Sequence, residues 1–200
     1  MPGKTILQRW GISAEDLTKI VDNNPSLRGM LFGYVAEYKL RLFFKSDGRI
    51  TSLRKDDDHD RRRKGDLVIT YKGYEFKIES KSLQTTQIKR NEKGEYNGVV
   101  QCDASDRREV ILPNRKKVTT TCLVVGEFDI LAACLFEFRQ KWDFAFALNR
   151  DLPRSTYKKY PEDVRKYLLK SLVPVSWPIK PPFTLDPFVL LDRLVSEKQR

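Results

Sequence analysis

Residues 65–82, GDLVITYKGYEFKIESKS, constrain the fold more than any other part of the chain. Two runs of β-branched and aromatic residues flank Lys72 and Gly73, and this pattern predicts a β-hairpin with a two-residue turn. In that register Asp66 lies opposite Glu79. The sequence therefore predicts two carboxylates on one face at the far end of the hairpin.

Two opposed carboxylates need a cation near them. Directly opposed side chains have Cβ atoms about 4.5 to 5.5 Å apart, so like charges there repel. Lys81, two residues beyond Glu79, points to the same face and compensates in part. A divalent metal ion does so better, because Mg²⁺ binds one or two carboxylates together with water and phosphate oxygens. The lysine can then orient, or help to deprotonate, a metal-bound water that attacks a phosphodiester.

A plainer alternative stays open for this hairpin. Its polar face could simply be exposed, with Glu79 and Lys81 forming a minor surface pair. Glu127 and Asp129 form a rival carboxylate pair on an apolar strand, but no lysine follows them at the required spacing. We interpret Asp129 as a hydrogen-bonded structural residue.

The charge of the chain favours an anionic partner. The 200 residues carry 38 Lys and Arg against 27 Asp and Glu, a formal net charge of +11, and such an excess favours nucleic acid. Residues 61–120 around the hairpin hold 15 basic and 8 acidic side chains. Each basic cluster alone is also typical of a solvated surface, and Gln101 of an ordinary strand end. The residues we expect to contact nucleic acid are Arg61, Arg62, Arg63, Lys64, Lys89, Arg90, Gln101, Arg107, Arg108 and Lys116.

Other residue types exclude several classes of site. The only histidine is His59, which excludes paired-His zinc sites and nucleases whose histidine base is supported by further histidines. Cys102, Cys122 and Cys134 are odd in number and lack CxxC spacing, so we expect buried reduced thiols. The sequence has no apolar run typical of a signal peptide or a membrane span. We expect a cytoplasmic protein with no membrane partner and no organic cofactor.

The predicted elements are helical, then mostly β, then helical. Helices are expected at 13–21, 26–44, 161–171 and 187–198, and strands at 49–53, 66–71, 74–81, 98–102, 118–125, 128–136 and 142–148. This order predicts an α/β (α+β) fold with a central mixed sheet flanked by helices. We expect one domain, 1–200, with N-terminal helices within 5–44, a catalytic sheet at 49–148 and a C-terminal helical segment at 154–198.

Gly65 and Asp66, followed by Glu79, Ser80 and Lys81, resemble the motif of the PD-(D/E)XK nuclease superfamily, which includes many type II restriction endonucleases and several repair nucleases. Glycine stands where proline is usual. The resemblance implies a restriction-endonuclease-like core of helix, three strands, helix and strand. It implies that Asp66 and Glu79 bind metal, that the Ser80 carbonyl contributes, and that Lys81 serves the attacking water.

Glu37, on the long helix that precedes the hairpin, matches the acidic residue that many members of this superfamily place near the metals. The resemblance therefore implies a catalytic set of Asp66, Glu79, Lys81 and Glu37. The matches lie between residues 37 and 81, and the rest of the chain is not tied to a particular subfamily.

Residues and resemblance together favour a Mg²⁺-dependent deoxyribonuclease, with Mn²⁺ able to substitute, that acts on double-stranded DNA as a type II restriction-type endonuclease. A homodimer is expected, because cutting two strands with one site per chain is easiest with two chains. Two alternatives stay open: a DNA repair or junction-specific nuclease of the same fold, and a non-catalytic basic nucleic-acid-binding module. The sequence leaves RNA open as a substrate, and also the number of metal ions.

Overall fold

The computed structural model describes residues 3–55 and 65–200. The predictions for Arg61, Arg62, Arg63 and Lys64 therefore lie outside the described residues. The chain forms two compact units, Met1–Val35, called here the N-terminal helical unit, and Ala36–Arg200. Within the described ranges, no helix is long and apolar enough to cross a membrane.

The chain begins with three helices, α1 (Ile6–Trp10), α2 (Ala14–Asp22) and α3 (Pro25–Lys45). Two of them begin with a capping box: at α2 the Ser13 hydroxyl accepts the Asp16 N–H, and the Asp16 carboxylate accepts the Ser13 N–H. Such a box satisfies two backbone donors at the helix start. Its sequence signature explains why the start of α2 was predictable.

The strands and the remaining helices belong to the second unit. The strands are β1 (Ile50–Arg54), β2 (Leu67–Tyr71), β3 (Tyr74–Ser82), β4 (Lys89–Arg90), β5 (Tyr96–Gln101), β6 (Asp103–Ile111), β7 (Lys117–Cys122), β8 (Ile130–Cys134), β9 (Phe144–Leu148) and β10 (Leu172–Trp177). The helices are α4 (Phe136–Arg139), α5 (Glu162–Arg165) and α6 (Pro187–Lys198).

A five-stranded sheet of order β1-β2-β3-β8-β9 forms the centre of this unit. Strands β3 and β8 are parallel, and the other neighbours are antiparallel. On one face, Phe44 of α3 packs edge-on against Phe146 of β9, with ring centroids 5.9 Å apart. The fold is therefore α+β with a central mixed sheet flanked by helices, as the sequence predicts.

The predicted hairpin register is confirmed. Leu67 pairs with Ile78 and Tyr71 with Tyr74. The turn residues Lys72 and Gly73 both have positive φ, 49° and 81°, which is typical of a two-residue turn of type I′. The register places Phe76 and Ile78 in the core, where both are fully buried.

The connection from β3 to β8, residues 83–129, differs from the one that the resemblance implies. All of it is described, and it contains no α-helix. Instead β4 and β5 join β10 in a three-stranded sheet, while β6 and β7 form a two-stranded sheet. The chain leaves β3 directly into this second sheet, since Leu83 pairs with Val100 and the Gln84 N–H donates to the Val99 carbonyl at 2.9 Å.

The helix predicted at 161–171 is wrong beyond its first turn, because α5 ends at Arg165. Leu168 and Leu169 are fully buried, and their backbone groups bond to distant segments. The Leu169 N–H donates to the Leu123 carbonyl at 2.8 Å, and the Leu168 carbonyl accepts from the Ser155 N–H at 2.8 Å. Tertiary pairing thus overrides local helix propensity here, and strand β10 follows. The second C-terminal helix, α6, is confirmed at its predicted bounds.

The three cysteines are buried, as predicted. Cys134 lies in β8, Cys122 ends β7, and Cys102 lies between β5 and β6. Burial raises the pKa of the Cys102 thiol to about 12. A thiol in such a place packs as a small apolar group.

Asn149 holds the turn that precedes β8. It is 3% exposed, its Oδ1 accepts the Gly126 N–H at 2.7 Å, and its Nδ2 donates to the Val124 carbonyl at 3.1 Å. Because Asn149→Ala removes the acceptor of the Gly126 N–H and one of the two donors to the Val124 carbonyl, which also accepts the Glu127 N–H at 3.1 Å, we expect it to lower the free energy of unfolding by about 2 kcal/mol. Urea denaturation measures this, with exposed Asn97→Ala, expected within about 0.5 kcal/mol of the parent protein, as the control. An equal loss in both variants would contradict the assignment.

Candidate active site

Asp66 lies just before β2, at the open end of the hairpin. Its carboxylate makes a hydrogen bond to β3 at the position where a backbone carbonyl of β2 would otherwise do so. Its Oδ2 accepts the Ser80 N–H at 2.7 Å. Backbone pairing of β2 with β3 ends at Leu67, so the side chain, rather than the backbone, joins this residue to β3. The carboxylate is thereby held beside the strand that carries Glu79 and Lys81.

Gly65 explains the departure from the proline of the motif. Its φ is +93°, whereas proline fixes φ near −65°. A Cβ at this position would lie 3.2 Å from the Lys77 Cβ. The chain enters β2 here through a conformation and a close approach that favour glycine.

Glu79 and Lys81 form a largely buried ion pair. The Lys81 Nζ lies 2.8 Å from the Glu79 Oε1, and the two side chains are 23% and 11% exposed. An exposed surface pair, the plainer alternative, does not have this degree of burial. The partners of β3 explain it, because β8 runs alongside and pairs Glu79 with Leu131 and Lys81 with Ala133, both fully buried.

The positive charge near Asp66 and Glu79 does not offset the effect of burial on their pKa values. Burial raises the pKa of Glu79 to about 7, with Lys81 opposing this shift and Asp66 adding to it. Burial also raises the pKa of Asp66, and the charge of Glu37 adds to it against the opposing charge of Lys81. For Lys81, burial lowers the pKa, but the charges of Glu79 and Asp66 outweigh it and hold the pKa above its ordinary value.

Glu37 is held by a lysine that the sequence analysis missed. The Lys55 Nζ lies 2.7 Å from the Glu37 Oε2, with side chains 24% and 21% exposed. Glu37 raises and Lys55 lowers the pKa of Asp66, so both lie within electrostatic reach of that carboxylate. The missed signal is positional: Lys55 directly follows β1, the strand that pairs with β2 beside Asp66.

A second ion pair lies near Glu79. The Glu127 Oε2 accepts hydrogen bonds from Arg108 at 2.6 Å and from the Val124 N–H at 2.8 Å, and the charge of Glu127 contributes to the raised pKa of Glu79. Arg108, expected to contact phosphate, is only 19% exposed. It therefore faces Glu127 instead of lying on the open surface.

Asp129, the other half of the rival carboxylate pair, accepts the backbone N–H of Lys77 at 2.7 Å. This contact joins the start of β8 to β3. It agrees with the interpretation of Asp129 as a structural residue.

The other residues expected to contact nucleic acid are spread over the smaller sheets. Lys89 and Arg90 are exposed on β4, Arg107 on β6, and Gln101 at the end of β5. Gln101 accepts a hydrogen bond from the Gln84 side chain. Gln101 lies between Val100, which pairs with Leu83 just beyond β3, and Cys102, whose pKa is affected by the charges of Lys81 and Glu79. That Lys89, Arg90, Gln101 and Arg107 contact nucleic acid stays a prediction.

The turn between β6 and β7 is held against the chain. The Lys116 Nζ lies 2.5 Å from the Asp163 carboxylate, and the Asn114 Nδ2 donates to the Asp163 carbonyl at 3.0 Å. Leu112, at the base of the turn, packs with Val164 and Leu168. This basic turn is therefore anchored beside α5.

The donor set of the site fits a divalent cation of the Mg²⁺ type. Asp66 and Glu79 bring two partly or fully buried carboxylates to one end of β3, and Mg²⁺ commonly takes one or two carboxylates with water and phosphate. Among residues 3–55 and 65–200, no group of three or more His, Cys, Asp or Glu side chains is arranged to hold a metal ion. Glu37, paired with Lys55, is thus outside any three-ligand cluster.

Comparison with known proteins adds little. No family model and no curated protein matches the sequence. Among solved structures, the chain is similar to a bacterial homing endonuclease, I-Ssp6803I, with a TM-score of 0.45 and 15% identity over 84% of this chain and 97% of that one. A likeness at this TM-score carries no argument about function.

Proposed function

We propose that this chain is a Mg²⁺-dependent deoxyribonuclease that hydrolyses phosphodiester bonds of double-stranded DNA, with Mn²⁺ able to substitute. The observation that carries the proposal is the buried Glu79–Lys81 pair beside Asp66, at 2.8 Å. Two carboxylates with raised pKa values in one buried place are costly for an ordinary structural site. A perturbed pair of this kind favours a functional site.

Asp66 and Glu79 would hold the metal, with the Ser80 carbonyl as a further ligand. A divalent cation in this place would neutralise charge on the phosphate and lower the pKa of a bound water. Asp66 is already oriented for this role by the Ser80 N–H. Glu79 must be ionised to bind, and its pKa of about 7 allows that at neutral pH.

Lys81 is best suited to donate hydrogen bonds. Because its pKa is raised above the ordinary value, it remains an ammonium ion at neutral pH in the metal-free protein. In this form it orients a water or a phosphate oxygen and stabilises negative charge in the transition state. Lys81 could remove a proton from water only if its pKa were lowered instead of raised.

Glu37 and Lys55 complete the charge arrangement. Lys55 holds the Glu37 carboxylate and provides a second cation within reach of Asp66. A lysine there would attract the DNA phosphate as a point charge. We assign Glu37 the role of positioning Lys55.

The finer proposal is a type II restriction-type endonuclease acting as a homodimer. Each chain offers one such site among its described residues, so a double-strand cut by paired sites needs two chains. A repair or junction-specific nuclease would use the same chemistry but prefer branched DNA. A non-catalytic binding module would bind DNA without cleaving it.

The test is incubation of the purified protein with linear plasmid DNA in about 10 mM Mg²⁺, a concentration chosen to saturate a weakly held cation. We expect discrete fragments, lost with EDTA and in Asp66→Ala, and retained in Glu92→Ala, an exposed carboxylate control. Cleavage of branched DNA alone would favour the junction enzyme. DNA binding without cleavage of either substrate would refute the nuclease.

A further inference from the structure

The N-terminal helical unit has three helices but only half-buried apolar contacts, such as those of Leu7, Leu17 and Leu27. None of its described residues, 3–35, is buried. Yet two of its three helix starts are well encoded, as the capping boxes of α1 and α2 show. Helices this short are marginal in water without tertiary packing. The unit therefore has, within itself, only part of the apolar burial that such helices need.

The same unit exposes large apolar side chains on all three helices. They are between 42% and 62% exposed and comprise Ile6, Trp10, Ile20, Met30 and Leu31, to which Tyr34, 48% exposed, adds an aromatic ring. Side chains of this size offer roughly 150–200 Å² each, so the five leave on the order of 400 Å² in water. Scattered single residues are ordinary on a surface. Five within one unit that fully buries no side chain are not scattered.

We infer that the N-terminal helical unit is the self-association surface of this chain and that its partner is the same unit of a second copy. The size agrees with this occupant. A standard interface buries about 800 Å² on each side, rather more than half of it apolar. The five exposed side chains supply most of that apolar share, and the same surface on both copies satisfies a two-fold interface.

Charge also favours a second copy over DNA or a lipid surface. The chain carries +11, so two copies repel each other over most of their surfaces. The N-terminal helical unit has four basic residues, Lys4, Arg9, Lys19 and Arg28, against three acidic ones, Glu15, Asp16 and Asp22. The unit is therefore nearly neutral, at +1, while the other residues carry +10 of the total +11. DNA and anionic membranes prefer basic surfaces instead.

The test is sedimentation velocity on the full chain without DNA, over about 1–100 µM, the range in which modest interfaces dissociate. We expect a dimer. The double variant Ile20→Glu with Met30→Glu should raise the dimer Kd by roughly 100-fold, and glutamate maintains helix propensity. The matched controls, Ile111→Glu and Val189→Glu, change side chains that are 68% and 61% exposed in the other unit, and should leave the Kd unchanged.

A measurement on the unaltered protein covers the case of a variant that fails to fold. Amide hydrogen exchange at low and high protein concentration should show protection of residues 6–31 rising as the dimer forms. A monomer throughout the range overturns the inference. So does a dimer whose concentration-dependent protection lies elsewhere, or a double variant that dimerises like the controls.

The need for two chains rests on the proposed function, but the exposed apolar surface does not. Association is measured without DNA, and cleavage is measured separately. A dimer that does not cut DNA retains this inference and refutes the nuclease. A monomer that cuts DNA does the reverse.

Discussion

Lys81→Ala is expected to reduce the rate of DNA cleavage by about 10²- to 10³-fold, the usual loss when one hydrogen-bond donor to the charge of the transition state is removed. The ammonium group lies 2.8 Å from the Glu79 carboxylate, so its loss also removes the only cation in direct contact with that group among the described residues. Single-turnover cleavage of a defined duplex at saturating Mg²⁺ measures the chemical step. Binding of the same duplex in Ca²⁺ should change far less.

Lys77→Ala is the matched control for this substitution. Lys77 lies on the same face of β3 as Lys81, but its side chain is exposed. Its removal should change DNA affinity slightly and leave the chemical step intact. Lys81→Arg separates charge from geometry, because it retains the positive charge but replaces a compact ammonium with a planar group. Full activity in Lys81→Ala would remove the lysine from the proposed mechanism.

Glu79 is expected to make the metal-free protein less stable as the pH rises from about 5 to 8. Its pKa lies at 4.5 in the ordinary state and at about 7 in the folded protein. Between these values the unfolded chain has released the proton while the folded chain keeps it, so folding becomes less favourable with rising pH. A difference of this size corresponds to up to about 3 kcal/mol, reached above pH 7.

Urea denaturation in EDTA at a series of pH values, and at one protein concentration, measures this effect. In Glu79→Gln the free energy of unfolding should lack the decrease with pH that Glu79 causes. The stability of this variant relative to the parent protein should therefore improve from pH 5 to pH 8. Lys81 does not contribute in this range, because its pKa is raised above an already high value. Added Mg²⁺ should stabilise the parent protein more at pH 8 than at pH 5.5, since binding needs the ionised carboxylate. Parallel pH profiles for parent and variant would contradict a buried, titrating Glu79.

The hairpin was predictable because its determinants are local. The two-residue turn sets the strand register, and the register places Phe76 and Ile78 inward and Glu79 toward Lys81. The starts of α2 and α6 were predictable for the same reason, since Ser13 caps α2 and Pro187 occupies the first turn of α6. Each of these features depends on residues only a few positions apart.

Features that depend on distant partners were not predictable in the same way. Leu168 and Leu169 belong to an apolar run that favours helix, but their backbone groups pair with residues of the 123 and 155 segments. From the sequence, Arg108 is expected on the surface. In the fold its guanidinium donates to Glu127, which lies just before β8. Lys55 comes close to Glu37 and Asp66 only because β1 pairs with β2, a contact that the local sequence around Lys55 does not indicate.

The sequence by itself determined the hairpin, its register and the proximity of Asp66, Glu79 and Lys81, because turn geometry and strand alternation act over short distances. Only the tertiary structure decided that this group is buried, since burial comes from β8 alongside β3. That burial raises the pKa values of both carboxylates. The reason is that an ionised group loses its hydration in an apolar environment, and no local sequence pattern specifies which distant strand supplies that environment.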